Sequence, residues 1–382
     1  MDVYLDNAAT TQIDKQSLKC LIETYNMYYG NPSSLHKLGY ECEKIFIKSL
    51  KSISRLIDTE LDKIIITSGG TESNNTALNQ IEGLKRKKIL TSRLEHPSVL
   101  KYCEYLKKSY KIEYDYYETD DKGKINLNSI KEKISKEVGM ITIPFVNSEV
   151  GLIQDIKNIS REIKKIDSNI LIHVDAVQAF GKIKVNVCEI DIDYMSFSSH
   201  KIHGPKGIGG LYIRNPGKFR PVFYGGGQQK NLRPGTENIP STVAFGSTCD
   251  IAYSTIDEEY KRIESINKKY RKLLDKKIDN LKFNSKFEDS SPYILNFSIK
   301  DIKSEVLIHF LEMEGIFISS GTACSSNYKN VSEAYKELEI GKEYIDGTIR
   351  ISFGRLSSID DVEEVVEKIS KYVDDIREMV RR

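Results

Sequence analysis

The sequence predicts an α/β protein in which a mostly parallel sheet is flanked by helices and a smaller α+β domain is attached. Between residues 60 and 215, short apolar segments alternate with amphipathic helical segments, a pattern typical of a parallel sheet covered on both faces. Beyond residue 280 the pattern changes to strands with helices that would pack on them. The chain has 382 residues, which exceeds the usual size of a single-core domain and favours two domains.

The first region contains the predicted elements of the large sheet. Strands are expected at 63–67, 88–91, 112–117, 138–144, 170–174, 194–197 and 207–212, the last of them at a sheet edge. Helices are expected at 97–109 and 155–166. Residues 238–280 predict one or two long helices that follow this region.

The second region predicts a smaller domain that also takes in the beginning of the chain. Its strands are expected at 294–298, 316–319 and 349–353, and its helices at 303–314 and 358–380. We therefore expect a large domain over residues 12–255 and a small domain made of residues 1–11 and 256–382.

Charge and cysteine content exclude several classes of protein. Lys and Arg total 57 against 55 Asp and Glu, and this near balance argues against a surface that binds nucleic acid directly. No apolar run reaches membrane-spanning length and the first residues lack a signal-peptide pattern, so we expect a cytoplasmic protein without a membrane partner. The 6 cysteines are widely scattered, which excludes the familiar zinc-site spacings and a disulfide scaffold. No metal site is expected.

The segment 196–207 carries the strongest chemical pattern, Ser-Phe-Ser-Ser-His-Lys-Ile-His-Gly-Pro-Lys-Gly. A predicted strand ends here in hydroxyl residues and a histidine, and Lys201 follows before a Gly/Pro-rich turn. This position lies at the carboxyl edge of a parallel sheet, where α/β proteins bind ligands. A Schiff-base lysine needs such a position, with hydroxyl groups nearby to hold a phosphate. The alternative is a surface lysine before a turn.

Asp175 closes the predicted strand at 170–174. An ionised Asp at a sheet edge can pair with a protonated pyridine nitrogen and so keep a cofactor ring cationic. Gln178, which follows shortly after, could reach a hydroxyl group of the same ring. The alternative for Asp175 is a cap of the next helix.

Two further segments could bind a phosphorylated, planar cofactor. In residues 67–74, a strand, two glycines and a hydroxyl residue precede a helix, and free N–H groups with the helix dipole favour an anion there. Gly70 and Thr71 lie at the centre of this segment, although a plain tight turn would show the same residues. His96 precedes another predicted helix, where an imidazole could stack on a ring and transfer protons, and a structural histidine is the alternative.

Cys324 lies in a segment of small and polar residues, 319–327. Such a segment is typical of an exposed loop, where a thiol is poorly placed for packing and well placed for reaction. The other cysteines have amphipathic or apolar surroundings, which favour a packing role.

Together these segments resemble class V pyridoxal-phosphate enzymes, specifically the cysteine desulfurases of the NifS/IscS kind. The resemblance runs from residue 4 to about residue 355 and includes the signatures at 4–11, 30–34 and 233–238. It implies fold type I, pyridoxal 5'-phosphate as cofactor, L-cysteine as substrate and a homodimer. It also implies that L-cysteine becomes L-alanine while the sulfur is held as a persulfide on Cys324. The sulfur would pass to an acceptor protein, either an iron–sulfur scaffold or a tRNA-thiolation enzyme.

The resemblance implies a role for each matching residue. Lys201 would bind the cofactor covalently and move the Cα proton. The ring contacts would be those described above for Asp175, Gln178 and His96. The phosphate ligands would be Gly70, Thr71, Ser198, His200 and Thr236 of the partner subunit. The substrate carboxylate would bind Arg350, with Asn31 nearby, because a guanidinium can pair with a carboxylate through two hydrogen bonds.

The chain departs from the family pattern in four places. Ser148 stands where an Asn usually contacts the cofactor, so that contact is in question. Pro234 stiffens the turn before Thr236, and Thr322 replaces a Ser near Cys324. The chain ends at residue 382, without the longer tail that some members use to dock an iron–sulfur scaffold. Delivery to tRNA thiolation or another acceptor therefore stays open.

Two other functions are compatible with part of these patterns. Another class V enzyme, such as an aminotransferase or a selenocysteine lyase, would share Lys201 and Asp175. An aminotransferase would not require the segment around Cys324, and the stretch between Cys324 and Arg350 resembles the long-loop desulfurases. A non-catalytic relative would have lost Lys201 or Cys324, and both are present.

Overall fold

The structure, a computed structural model, describes residues 2–120, 122–320 and 332–381. The strands within these ranges are β1 (Val3–Tyr4), β2 (Ile64–Thr67), β3 (Lys88–Thr91), β4 (Glu113–Tyr116), β5 (Val138–Pro144), β6 (Leu171–Asp175), β7 (Tyr194–Ser198), β8 (Gly209–Ile213), β9 (Leu281–Phe283), β10 (Ile294–Ile299), β11 (Ile316–Phe317), β12 (Ser319–Ser320) and β13 (Thr348–Ser352). The helices are α1 (Lys15–Met27), α2 (Lys37–Arg55), α3 (Gly70–Leu78), α4 (Pro97–Tyr110), α5 (Leu127–Lys133), α6 (Ile156–Ile166), α7 (Ile239–Lys277), α8 (Ser304–Met313), α9 (Glu333–Glu337), α10 (Lys342–Ile345) and α11 (Asp361–Arg381).

The large sheet contains seven of the described strands in the order β2-β8-β7-β6-β5-β3-β4. The strands from β7 to β4 pair in parallel, whereas β8 is antiparallel to both β7 and β2. Side chains alternate between the two faces of a strand, so Ile64 and Ile66 pack in one core and Ile65 packs in another. Helices cover both faces, with Phe245 of α7 in the first core and Val99 of α4 in the second. The predicted mostly parallel sheet flanked by helices is confirmed.

The prediction that residues 207–212 form an edge strand is wrong. β8 lies between β7 and β2 and is buried along its whole length, so β2 occupies this edge of the sheet. β2 comes from a distant part of the chain, and the local sequence of β8 gives no sign of that second neighbour. The segment predicted as one strand at 316–319 also differs, because it divides into β11 and β12 in two different sheets.

A second sheet has the order β12-β13-β10-β9 and is antiparallel throughout. The beginning of the chain joins this region, since β1 pairs with β11 and Leu5 packs in the same core as the second sheet. The single helix α7 serves both cores, with Ala252 in the large-sheet core and Ile263 in the other. The predicted domain boundary at residue 256 falls between these two residues and stays a prediction.

The topology brings several segment ends to one place. β6 and β7 are parallel neighbours, so Asp175 and the segment after Ser198 lie at the same edge of the sheet. The residues after β1 reach this edge as well, where the Thr11 backbone N–H donates to the His200 carbonyl at 3.0 Å. Among the described residues, none of the helices is both long and apolar enough to span a membrane.

Candidate active site

A cavity of about 410 Å³ lies at the carboxyl edge of the large sheet. It is enclosed by the ends of β5, β6 and β7, the start of α3, and the residues that follow β1. The predicted site residues that line it are Gly70, Thr71, His96, Asp175, Gln178, Ser198, His200, Lys201 and Arg350. The topology therefore brings together predicted residues from five separate segments of the sequence.

Two predicted residues that the structure describes, Asn31 and Thr236, do not line this cavity. The exposed Asn31 accepts a hydrogen bond from the Ser33 backbone N–H at 2.9 Å, within the turn before α2. The exposed Thr236 borders a separate groove with Phe223 and Tyr224. Cys324 lies outside the described residues.

Asp175 accepts hydrogen bonds from two uncharged donors. Its buried carboxylate accepts hydrogen bonds from Asn74 Nδ2 at 2.7 Å and from the Val177 backbone N–H at 3.0 Å. The residues after it form turns at 177–182, so Asp175 does not cap a helix. A carboxylate whose described partners are uncharged can still pair with a cation. Because Asp175 lines the cavity, such a cation would lie in the cavity.

Lys201 is partly buried rather than a surface lysine. Its Nζ donates to the backbone carbonyls of Ala8 at 2.5 Å and Ala9 at 2.7 Å. Burial and the nearby Arg350 lower the pKa of Lys201 to about 8, although Asp6 and Asp175 oppose this shift. An amine that loses its proton this readily can act as a nucleophile or a base close to neutral pH.

His96 has both a structural and a cavity-facing role. It caps α4, where Nδ1 accepts from the Ser98 backbone N–H at 3.1 Å and lies 2.8 Å from Ser98 Oγ. Burial lowers the pKa of His96; Asp175 opposes this effect and Lys201 adds to it. The imidazole therefore favours its neutral form, and its ring lines the cavity next to Asp175.

The start of α3 forms one end of the cavity. A Cβ atom on Gly70 would lie 2.7 Å from Val177 Cγ2, so a larger residue would displace the turn that follows Asp175. Ser198 is buried, and its hydroxyl has no hydrogen-bond partner among the described residues. An unpartnered hydroxyl beside the first N–H groups of a helix fits an anionic group.

His200 borders the same end of the cavity. Its Nδ1 lies 3.1 Å from Thr10 Oγ1, and burial, with Lys201 nearby, lowers its pKa to about 4. A second opening of about 400 Å³, lined by Thr71, Ser198, His200 and Lys206, continues from this end. The cavity is therefore open beyond the start of α3.

Arg350 lies on β13 at another wall of the cavity. Its guanidinium pairs with Asp6 Oδ1 at 2.7 Å and donates to the Ser148 carbonyl at 3.0 Å. The Nε–H group is buried and has no partner within the part of the chain that the structure describes. An unsatisfied N–H on a charge-balanced arginine fits a carboxylate ligand. The Ser148 side chain lines the cavity where the family pattern has an amide.

Sequence reasoning missed three residues that support the predicted ones. Asn74 holds Asp175, Asp6 holds Arg350, and Lys182 donates to Gln178 Oε1 at 3.0 Å. Asn74 and Asp6 are polar residues within the segments 67–74 and 4–11 already described, so their position in those segments could have indicated a role in the site. Lys182 carried no signal in the sequence.

Comparison with known proteins gives consistent results along the chain. The family model described as Aminotransferase class-V matches residues 3–365. A protein named Cysteine desulfurase IscS from Dictyoglomus turgidum is 34% identical over 379 residues, which cover 98% of this chain and 95% of that protein. Another of that name, from Buchnera aphidicola subsp. Schizaphis graminum, is 36% identical over 383 residues, with 98% and 93% covered. A solved structure named NifS-like protein superposes with a TM-score of 0.92 at 31% identity and covers 98% of this chain and 100% of its own.

Proposed function

The chain belongs to the class-V aminotransferase family, and from that premise we propose that it is a pyridoxal-phosphate-dependent cysteine desulfurase. It converts L-cysteine to L-alanine and holds the sulfur as a persulfide on Cys324. The observation that carries this proposal is the juxtaposition of Lys201 and Asp175 in one cavity, in a chain that matches named cysteine desulfurases over nearly its whole length.

The cavity fits pyridoxal phosphate at both ends of that molecule. The start of α3 and the unpartnered Ser198 hydroxyl fit the phosphate, with Thr71 and His200 beside them. The Asp175 carboxylate, with its two uncharged donors, fits a protonated ring nitrogen. When bound, the cofactor supplies an electron sink for the negative charge that develops at the substrate Cα.

Lys201 and Asp175 provide complementary charges around the substrate. The amine of Lys201, with its pKa lowered to about 8, binds the cofactor and can later accept the Cα proton. The Asp175 carboxylate would pair with the protonated ring nitrogen of the cofactor. His96, which favours its neutral form, lines the same cavity and offers a flat surface for a ring.

Arg350 supports recognition of an amino acid substrate. Its free Nε–H can donate to the carboxylate of L-cysteine, while Asp6 compensates most of the guanidinium charge in the absence of substrate. The predicted contribution of Asn31 rests on its family motif, because Asn31 does not line the cavity in this chain.

The position of β12 supports a role for Cys324 in sulfur transfer. Ser319 of β12 pairs with Arg350, so the segment that carries Cys324 begins beside the substrate arginine. In the reaction, the Cys324 thiolate attacks the sulfur of the substrate, a sulfur–sulfur bond forms and the carbon–sulfur bond breaks. The carbon skeleton keeps the electron pair, takes up a proton and leaves as alanine.

Exposed apolar side chains support the proposed homodimer. Tyr25, Tyr29 and Leu35 are exposed on α1 and on the segment that leads to α2. Tyr224 is 89% exposed and borders the same groove as Thr236. Surfaces rich in large apolar side chains often form protein interfaces, and a second copy against the groove of Tyr224 and Thr236 would account for Thr236 not lining its own cavity.

The destination of the sulfur and the cellular location stay predictions. An iron–sulfur scaffold and a tRNA-thiolation enzyme are both compatible with an acceptor that must meet the Cys324 segment. The cytoplasmic location is an expectation from the sequence, and no structural observation supports it.

A turnover assay separates the desulfurase from an aminotransferase. The purified enzyme is incubated with L-cysteine and a thiol reductant, with and without an added 2-oxo acid, and alanine is quantified. We expect alanine to form at the same rate in both mixtures, because a desulfurase needs no amino-group acceptor. Turnover that requires the 2-oxo acid would contradict the proposal. Lys201→Ala, as a control, should abolish alanine formation.

A further inference from the structure

Lys182 is a buried lysine behind the wall of the cavity. It lies on the turn after β6 and is only 5% exposed. Lysines are rarely buried without a charged partner, and no carboxylate among the described residues forms an ion pair with this one. Its Nζ instead donates to Gln178 Oε1 at 3.0 Å and lies 5.6 Å from the centre of the Tyr293 ring. The described hydrogen bond of its amine therefore goes to a residue that lines the cavity, Gln178.

The partners of Gln178 fix the orientation of its side-chain amide. Gln178 Nε2 donates to the Ala8 carbonyl at 2.9 Å, and a carbonyl can only accept. Lys182 donates to the opposite atom, Oε1, so the two partners demand the same orientation. If the amide rotated by half a turn, Oε1 would face the Ala8 carbonyl, acceptor against acceptor, and Nε2 would face Lys182 Nζ, donor against donor. The second N–H of Nε2 is thus the group that Gln178 can offer to a ligand in the cavity.

The same carbonyl links this pair to Lys201. The Ala8 carbonyl accepts from Lys201 Nζ at 2.5 Å as well as from Gln178 Nε2. The hydrogen bonds therefore run from Lys182 through Gln178 and Ala8 to the amine that binds the cofactor. A change at Lys182 can reach Lys201 without any direct contact between the two side chains.

We propose that Lys182 is a positioning residue for the cofactor, which fixes the Gln178 amide with its N–H groups toward the ring oxygen and the Ala8 carbonyl. This inference rests on the proposed function, because it assumes that pyridoxal phosphate occupies the cavity. It adds a residue that lies behind the cavity lining and is assigned no role by the family resemblance above.

The charged groups near Lys182 affect the protonation state of its amine. Burial, with Lys201 and Arg350 nearby, lowers the pKa of Lys182 to about 7. A small space of about 30 Å³ beside it is also lined by His203, Glu259 and Arg355. A charged amine can only donate, so in that form Lys182 excludes the rotated amide, whereas a neutral amine could also accept. The Ala8 carbonyl, which can only accept, excludes the rotated amide in either case.

The test compares Lys182→Met with Lys184→Met. Methionine keeps the length of the side chain and removes the donor, and Lys184 is an exposed lysine on the same segment, paired with Asp257. The affinity of each apoenzyme for pyridoxal phosphate is measured from the yellow colour of the bound cofactor. We expect Lys182→Met to bind roughly tenfold more weakly, the value of one hydrogen bond. Lys184→Met should bind as the wild type does.

A double variant tests the route through Gln178. In a Gln178→Leu background, Lys182→Met should cause no further loss of affinity. With Gln178 intact, Lys182→Arg, which keeps the donors, should retain most of the wild-type affinity. Lys182→Leu serves as the second variant if Lys182→Met does not fold. Equal affinity of Lys182→Met and the wild type, or an undiminished loss in the Gln178→Leu background, would overturn the inference. A wild type that never binds the cofactor would instead overturn the proposed function.

Discussion

The side chains of this site acquire their chemistry from uncharged neighbours as much as from charged ones. Two backbone carbonyls hold Lys201 in place, and the shift of its pKa comes mainly from burial, with Arg350 adding to it. The Asp175 carboxylate can still pair with a cation, because it accepts hydrogen bonds only from uncharged donors among the described residues, Asn74 and a backbone N–H. Arg350 pairs with Asp6, and its Nε–H has no hydrogen-bond partner within the described ranges of the chain.

The lowered pKa of Lys201 predicts how fast the apoenzyme captures its cofactor. Only the neutral amine attacks an aldehyde, and the pKa of this amine is about 8 rather than 10.5. Below pH 8 the amine carries its proton, so the rate of covalent capture should rise with pH, pass its midpoint near 8 and then level off. Stopped-flow absorbance across this range measures the rate.

A matched variant controls this pH profile. Arg350→Gln removes the second-largest cause of the shift, so its midpoint should move to higher pH. A wild-type rate that keeps climbing to pH 10 without a plateau would show that Lys201 titrates as an ordinary surface lysine.

At the scale of elements, the sequence predicted local structure well and distant neighbours poorly. Most strands and helices of the large sheet lie within a few residues of their predicted positions, because apolar periodicity and Gly/Pro turns are local signals. The internal position of β8 depends on β2, and the Asp6–Arg350 pair joins residues 344 positions apart. Neither the β8–β2 pairing nor the Asp6–Arg350 pair can be predicted from a local sequence pattern. The cavity residues were predicted because each one sits at a strand end or in a motif, whereas Lys182 sits in neither.

The buried position of β8 predicts a specific sensitivity at Gly210. A Cβ atom there would lie 2.5 Å from the Phe197 ring, which stacks on Phe180 at 4.3 Å and has no room to move. Gly210→Ala should therefore lower the free energy of unfolding by about 1–3 kcal/mol. Urea unfolding measures this change.

Gly217→Ala provides the matched control for that experiment. Gly217 is exposed, and the nearest atom to its Cβ position is Asn215 Oδ1 at 3.6 Å. The control should change the free energy of unfolding by no more than about 0.5 kcal/mol. Equal stability of the two variants would place β8 at a looser, edge-like position.

At the scale of the whole molecule, the two cores and the active site depend on one another. α7 packs in both cores, and the residues after β1 carry Ala8 and Ala9 from the second region to Lys201. The cavity is therefore assembled from both regions of one chain. The proposed dimer extends this arrangement, because Thr236 would complete the cavity of the other copy.

Subunit complementation tests that arrangement. Thr236→Ala should weaken cofactor affinity roughly tenfold although Thr236 does not line its own cavity, and Lys201→Ala should abolish activity. A mixed dimer of these two variants has one site with an intact Lys201 and an intact Thr236. We expect mixing to restore a site of wild-type affinity, with about half of the wild-type activity per mixed dimer. Mixtures without restored affinity would contradict a shared site.

In the proposed reaction, sulfur leaves L-cysteine through a persulfide on Cys324. The measurement that tests it most directly follows alanine and sulfide together, with purified enzyme, L-cysteine and a thiol reductant, for the wild type and for Cys324→Ala. We expect the wild type to release the two products in equal amounts. Cys324→Ala should keep the yellow colour of the bound cofactor and lose both products. A Cys324→Ala variant that turns over as fast as the wild type would contradict the claim and favour a selenocysteine lyase or an aminotransferase.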